Sequence, residues 1–228
     1  MCKLHLTCLP LVWRTVTEPG YLRATREFYD TIAVDYDKHF HDDLTGKPFD
    51  RAMLAAFAEL VHGAAEPVAD VGCGPGRIAA HLRSLGVPAF GVDLSPVMVD
   101  LARRAHPDLR FDVGTMTGLE AGDGTLAGVV AWYSIIHLPP DLVPDALAEF
   151  HRVLAPGGAL LLAFQVGDVP LHLDRPFDHP VSLDFNRLQP ERVADLLCKA
   201  GFAMTARFVR EPGAAESVPQ ACLLARKP

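Results

Sequence analysis

Across 228 residues the sequence has no basic run longer than Arg103–Arg104, no C-x-x-C motif, and no apolar stretch near the ~20 residues a membrane span requires. Lysine and arginine number 21 against 28 acidic residues, a formal net charge of -7, so the electrostatic footprint of a nucleic-acid binder is missing. A small-molecule partner is expected instead. The five cysteines (Cys2, Cys8, Cys73, Cys198, Cys222) are odd in number and scattered. That argues against a disulfide framework and against zinc, so no metal is expected and a reducing, cytoplasmic setting fits. The opening MCKLHLTCLPLVW is apolar, but only Lys3 precedes its apolar part and no small-x-small cleavage site follows before Arg14. Residues 1–20 are therefore expected to form an untethered arm that need not be ordered. The remainder, 21–228, reads as a single domain with a substantial core, in a monomer or a homodimer.

What is present changes character along the chain. Residues 21–62 read as a helical cap of two helices, YLRATREFYDTIAVDYDKHF and FDRAMLAAFAELVH, broken by HDDLTGKP. From Pro67 short apolar runs alternate with amphipathic helices up to residue 165, with Ser95 as an N-cap and Pro96 at the first helical position. Residues 166–189 break the alternation with two His, several Asp and Pro, and apolar residues between them; they read as a lid insertion. A helix and two strands over 190–228 close the chain, the short PGAAES connection implying an antiparallel hairpin. The expected architecture is α/β: Rossmann-like and doubly wound, with a seven-stranded, mostly parallel sheet, helices on both faces and a C-terminal antiparallel hairpin.

In VADVGCGPGRIAAHL, Gly72, Gly74 and Gly76 stand at alternate positions between a strand and a helix, where a glycine-lined backbone can approach a ligand closely. Asp93 ends the next strand, where a carboxylate can accept from both hydroxyls of a ribose. The spacing is G-x-G-x-G rather than the G-x-G-x-x-G of dinucleotide sites, which counts against a nicotinamide oxidoreductase. Asp70, two residues before the first glycine, suits a cationic ligand better than an anionic one.

DVGCGPG, GVDLSPVMVDLA, FDVGTMTGL, AWYSIIHLP and VLAPGGALLLAF, in this order across residues 68–164, resemble the class I S-adenosylmethionine-dependent methyltransferases of small-molecule type. The resemblance implies S-adenosyl-L-methionine as cofactor. Asp70, Gly72, Cys73, Gly74 and Gly76 would hold its methionine portion, with Cys73 as a small apolar filler, and Asp93 its ribose. Leu94 and Met98 would flank one side of the adenine, Thr115 and Met116 the other. Thr115 departs from the aspartate common at this place: either it accepts weakly from the adenine amino group, or Asp112 or a backbone carbonyl substitutes. Trp132, Tyr133, Ser134 and His137 would stand beside the methyl group. FYDTIAVDYD resembles the segment that closes over the cofactor in such enzymes, with Tyr29 and Tyr36 two turns apart on one helix face.

The expected activity is methyl transfer to oxygen or nitrogen of a small organic acceptor, secondary metabolites included. The alternative is a homologue that senses the cofactor or uses it for another reaction. His137, Tyr133 and Tyr29 are the catalytic candidates, His137 because its ordinary pKa lies near neutrality. Tyr133, Ser134, His137, His172 and His179 are the candidates for substrate contact. For Arg77, at the start of the helix after the glycine turn, the choices are a pairing with the cofactor carboxylate or Asp70, or a solvated side chain.

Overall fold

The computed structural model describes residues 18–214 and 216–228, so most of the expected N-terminal arm lies outside the described residues. Two helices come first, α1 (Gly20–Phe40) and α2 (Pro48–Leu60). The alternating core follows as β1 (Val68–Val71), α3 (Arg77–Ser84), β2 (Ala89–Asp93), α4 (Pro96–Ala105), β3 (Phe111–Val113), β4 (Leu126–Trp132), α5 (Val143–Val153) and β5 (Leu154–Gln165). The chain ends with β6 (Leu171–Asp174), β7 (Ser182–Phe185), α6 (Pro190–Lys199), β8 (Ala203–Arg210) and β9 (Gln220–Arg226).

Seven strands form one sheet in the order β3-β2-β1-β4-β5-β9-β8. The pairs from β3 through β5 are parallel, and β9 runs antiparallel to both β5 and β8. Because successive side chains of a strand point to opposite faces, the near-continuous apolar runs feed two cores at once. Val68, Val130, Leu161 and Leu224 pack with Leu54 and Phe57 of α2 and Ile78 and Leu82 of α3. Ala69, Val129, Leu160 and Leu223 pack with Leu147 and Phe150 of α5 and Leu197 of α6. Each such buried Phe or Leu contributes about 1.5–3 kcal/mol. Strand order reverses at β1 and β4, which opens a crevice at their carboxyl ends.

The lid insertion is more regular than its sequence suggests. Leu171 pairs with Phe185 and Leu173 with Leu183 in a two-stranded hairpin, because apolar and polar residues alternate in both short runs. Arg175, Phe177 and Asp178 in its turn adopt positive φ. The fifth sheet strand begins at Leu154, with a register shift against β4.

Candidate active site

The glycine turn between β1 and α3 is shaped by contacts no side chain would tolerate. Gly72 has φ +76°, and a Cβ there would lie 2.3 Å from the Ser134 Cβ, so the ends of β1 and β4 close up only over glycine. Ser134 completes the junction, its hydroxyl donating to the Val71 carbonyl at 2.6 Å. Gly76, at φ +86°, caps α3 against the Phe111 ring, 2.7 Å from where a Cβ would stand. A Cβ on Gly74 would meet nothing within 4 Å, since this residue borders open cleft.

Asp93 joins the turn to the next helix. One oxygen accepts from the Gly74 N–H at 2.7 Å and the other from the Ser95 N–H at 2.8 Å. Burial raises its pKa and those backbone donors oppose the rise. Two bonds leave lone pairs unused on a carboxylate that can take about four. Asp70 shares the strand face of Val68, so its Oδ2 accepts from the Ala79 N–H of α3 at 3.0 Å. Its Oδ1 is buried with no partner among the described residues, and desolvation lifts the carboxyl to about 7.

Across the cleft lies α1. The Tyr29 hydroxyl meets His137 Nε2 at 2.8 Å, although 108 residues separate them. The His137 ring stands edge-on to Tyr29, centroids 5.1 Å apart, and to Phe185 of β7 at 4.9 Å. Tyr36 packs on Tyr29 at 5.8 Å. Burial alone pulls His137 down to about 4; burial first, then nearby negative charge, pushes both tyrosines upward, with Arg77 opposing the rise at Tyr36. The pair is thus uncharged at neutral pH, and His137 Nδ1 is enclosed without a partner.

Of the expected site residues, Tyr29, Tyr36, Gly72, Gly74, Asp93, Leu94, Met98, Thr115, Met116, Trp132, Tyr133, Ser134 and His137 line one cleft of about 780 Å³, its open mouth included. Others are placed elsewhere. Asp70 and Gly76 lie behind the turn, and Cys73 is buried among Ala79, Val99 and Phe111. Tyr133, which lines the cleft, has φ +53°, and burial first, then Asp50, raises its pKa. His172 bonds Asp184 across the exposed lid hairpin at 2.7 Å, and His179 bonds Asp35 of α1 at 3.0 Å. Thr115 accepts from the Thr117 N–H at 3.1 Å, and Asp112 pairs outward with Arg110 at 3.0 Å.

Tyr21, Leu22, Thr25 and Arg26 of α1 also line the cleft, a role the sequence reading missed. Their spacing of three, four, seven and eight from Tyr29 was the available signal. Asp30 was missed too; it accepts from the Ser95 hydroxyl at 2.5 Å and ties α1 to α4.

A methyltransferase-domain model matches residues 68–158, the stretch that carries the turn, Asp93 and His137. The demethylmenaquinone methyltransferase of Chlorobaculum parvum is 29% identical over 202 residues, covering 86% of this chain and 78% of that protein. Residues 68–158 thus form a class I S-adenosylmethionine-dependent methyltransferase domain. A second methyltransferase, the 2-heptyl-1-hydroxyquinolin-4(1H)-one methyltransferase of Mycobacteroides abscessus, is 30% identical over 143 residues, 60% of this chain and 61% of that protein. The fold likeness extends to the magnesium protoporphyrin IX methyltransferase of Synechocystis PCC 6803 with bound cofactor, at TM-score 0.68 and 16% identity over 94% of this chain and all of the other.

This methyltransferase uses S-adenosylmethionine, and its residues fit that group: Gly74 faces open space, Asp93 keeps spare lone pairs, and Asp70 has an orphaned oxygen beside the turn. A methyltransferase chain that binds without transferring is not favoured, since the matched relatives are named as enzymes. Among the described residues no cluster of three or more His, Cys, Asp or Glu could hold a metal, and no helix is long and apolar enough to cross a membrane.

Proposed function

We propose that the enzyme methylates an oxygen or nitrogen of a small organic acceptor, secondary metabolites included, and that Tyr29 and His137 receive the acceptor at the end of β4. The observation that carries this is the Tyr29–His137 bond at 2.8 Å in the wall of the cleft. Two relatives named for small organic acceptors support it, as does the -7 charge, which suits neither nucleic acid nor a polyanionic surface.

S-adenosylmethionine, when bound, supplies an electrophilic methyl group on a sulfonium. The protein's share is alignment and dryness. Residues 21–62 and the lid at 166–189 serve as the cap over the core at 67–165. His179 acts in that closure through Asp35 of α1, and His172 only braces the lid hairpin against Asp184, both apart from the cleft. Asp93 offers its remaining lone pairs to the ribose diol, and Asp70 Oδ1 favours positive charge near the turn. Tyr36 covers the same end. Leu94, Met98, Thr115 and Met116 flank the adenine, and Trp132 shapes the wall near the acceptor with the backbone of Tyr133 and Ser134.

His137 Nδ1 is enclosed and Nε2 is occupied by Tyr29, so a proton leaving the acceptor reaches the imidazole through the Tyr29 hydroxyl. With its pKa held near 4, His137 is a weak base, which suits acceptors that release a proton readily. The test is incubation with S-adenosylmethionine and a panel of phenols, enols and amines, reading S-adenosylhomocysteine. The Tyr29→Phe variant should bind cofactor within about 3-fold of wild type yet turn over about 100-fold more slowly. Product formation only with peptide or nucleic acid defeats the small-acceptor reading, and undiminished turnover in Tyr29→Phe defeats the relay.

A further inference from the structure

Arg77 begins α3 immediately after the glycine turn, at the positive end of that helix, where a guanidinium is electrostatically misplaced. Its side chain leaves that environment. Nη1 donates to the carbonyl of Phe40, the last residue of α1, at 2.6 Å. The Asp43 carboxylate lies 3.8 Å away, and the guanidinium stands 5.9 Å and 5.7 Å from the ring centroids of Tyr36 and Phe40. A helix C-terminus is negative and has unpaired carbonyls, so the charge misplaced on α3 is well placed on α1. Neither a solvated side chain nor a pairing with Asp70 is found.

Tyr36 lines the same cleft as Gly74, and Arg77 backs it without lining that cleft. We propose that Arg77 is a positioning residue, a clasp that fixes the last turn of α1 and Tyr36 over the cofactor, so that glycine turn and cap helix close as one unit. This rests on the reading of the glycine turn as the seat of the methionine portion. Asp30 pins the middle of α1 to Ser95, and Arg77 pins its end. Cofactor exchange requires the unpinned state, so the clasp governs the rate of release.

The test measures binding and release of two ligands, S-adenosylhomocysteine and 5′-methylthioadenosine, the second lacking the amino-acid carboxylate. In Arg77→Ala the off-rates of both should rise, that of S-adenosylhomocysteine about 10- to 100-fold, as expected for losing a hydrogen bond from a charged donor. Arg77→Lys should recover part of the loss, since an ammonium still reaches the Phe40 carbonyl but cannot lie along the rings. A change for S-adenosylhomocysteine alone, with methylthioadenosine within 2-fold of wild type, would make Arg77 a direct carboxylate ligand and overturn the clasp. Unchanged off-rates for both overturn it as well. If Arg77→Ala fails to fold, Asp43→Asn decides: the off-rate should rise about 2- to 5-fold, and no rise refutes the proposal. Wild-type protein that binds neither ligand would defeat the cofactor assignment, and the clasp with it; wild-type binding leaves the variant ratios to report on the clasp alone.

Discussion

The two ends of the cleft are built by different means. At the glycine turn, the polar groups come from neighbours along one β-α-β unit: backbone N–H groups, Asp70 buried behind the turn, and Asp93 held by two of those N–H groups. At the Tyr29–His137 end, a helix from the start of the chain, the turn after β4 and the lid hairpin each contribute one aromatic face. The first end is positioned by strand geometry and left-handed glycines, so its shape follows from local chemistry. The second depends on how three distant segments pack, so it can change its occupant without altering the sheet. A common cofactor and a variable acceptor call for that division.

The division predicts that damage at the turn is felt by the whole molecule. Gly72→Ala should be the most harmful single change, because the new methyl group meets Ser134 at 2.3 Å and the backbone stays at φ +76°. Overpacking and strain together should cost roughly 2–5 kcal/mol. Thermal unfolding should show the loss, and titration should show cofactor affinity falling with it; a variant as stable as wild type would mean that the β1–β4 junction yields easily. Asp93→Ala should be milder for folding and specific for the ligand, weakening S-adenosylmethionine about 10- to 100-fold by calorimetry. Unchanged affinity would remove Asp93 from the site.

How legible each end was in the sequence follows the same line. The turn, Asp93 and the Ser95 cap could be read because their partners lie within a few residues or one strand away. Strand parity would also have placed Asp70 against α3, since Val68 and Asp70 must share a face. The Tyr29–His137 bond could not be read, because it depends on where α1 settles across a sheet whose strands begin almost 40 residues later. The candidates were recognisable singly, and their contact was not. In the lid, Pro and His residues hid an alternation, Leu-His-Leu-Asp against Ser-Leu-Asp-Phe, sufficient for a hairpin. Arg77 was left undecided because a helix start was considered alone, without the end of another helix beside it.

Proton linkage sets the two ends against each other. Asp70 titrates near 7 in the folded protein and near 3.8 unfolded, so it contributes stability at low pH that is lost as pH rises through that window. His137 titrates near 4 folded and 6.5 unfolded, so its contribution is present above 6.5 and lost as pH falls toward 4. Between about 4 and 6.5 the slopes have opposite signs, each near 1.4 kcal/mol per pH unit at most, and largely cancel. Asp70→Asn should therefore uncover stability that rises with pH in this range, and His137→Gln stability that falls. Denaturant unfolding at pH 4.5, 5.5 and 6.5 measures both, and parallel profiles for the two variants would contradict the assignment.

The smallest effect should come from the part of the lid farthest from either end. His172 and Asp184 form a hydrogen-bonded pair with 61% and 67% of their side-chain surfaces exposed, on a hairpin whose outer face packs against nothing described. Surface pairs of this kind are screened by salt and offset by the entropy of holding two side chains together. His172→Ala should change the melting temperature by no more than about 2 °C and leave cofactor affinity and release unaltered. His179 differs because its partner, Asp35, belongs to α1, so the lid touches the cap there. A clear loss of cofactor affinity in His172→Ala would show that the hairpin reports to the cleft along its whole length, and the line between a local cofactor end and an assembled acceptor end would have to be redrawn.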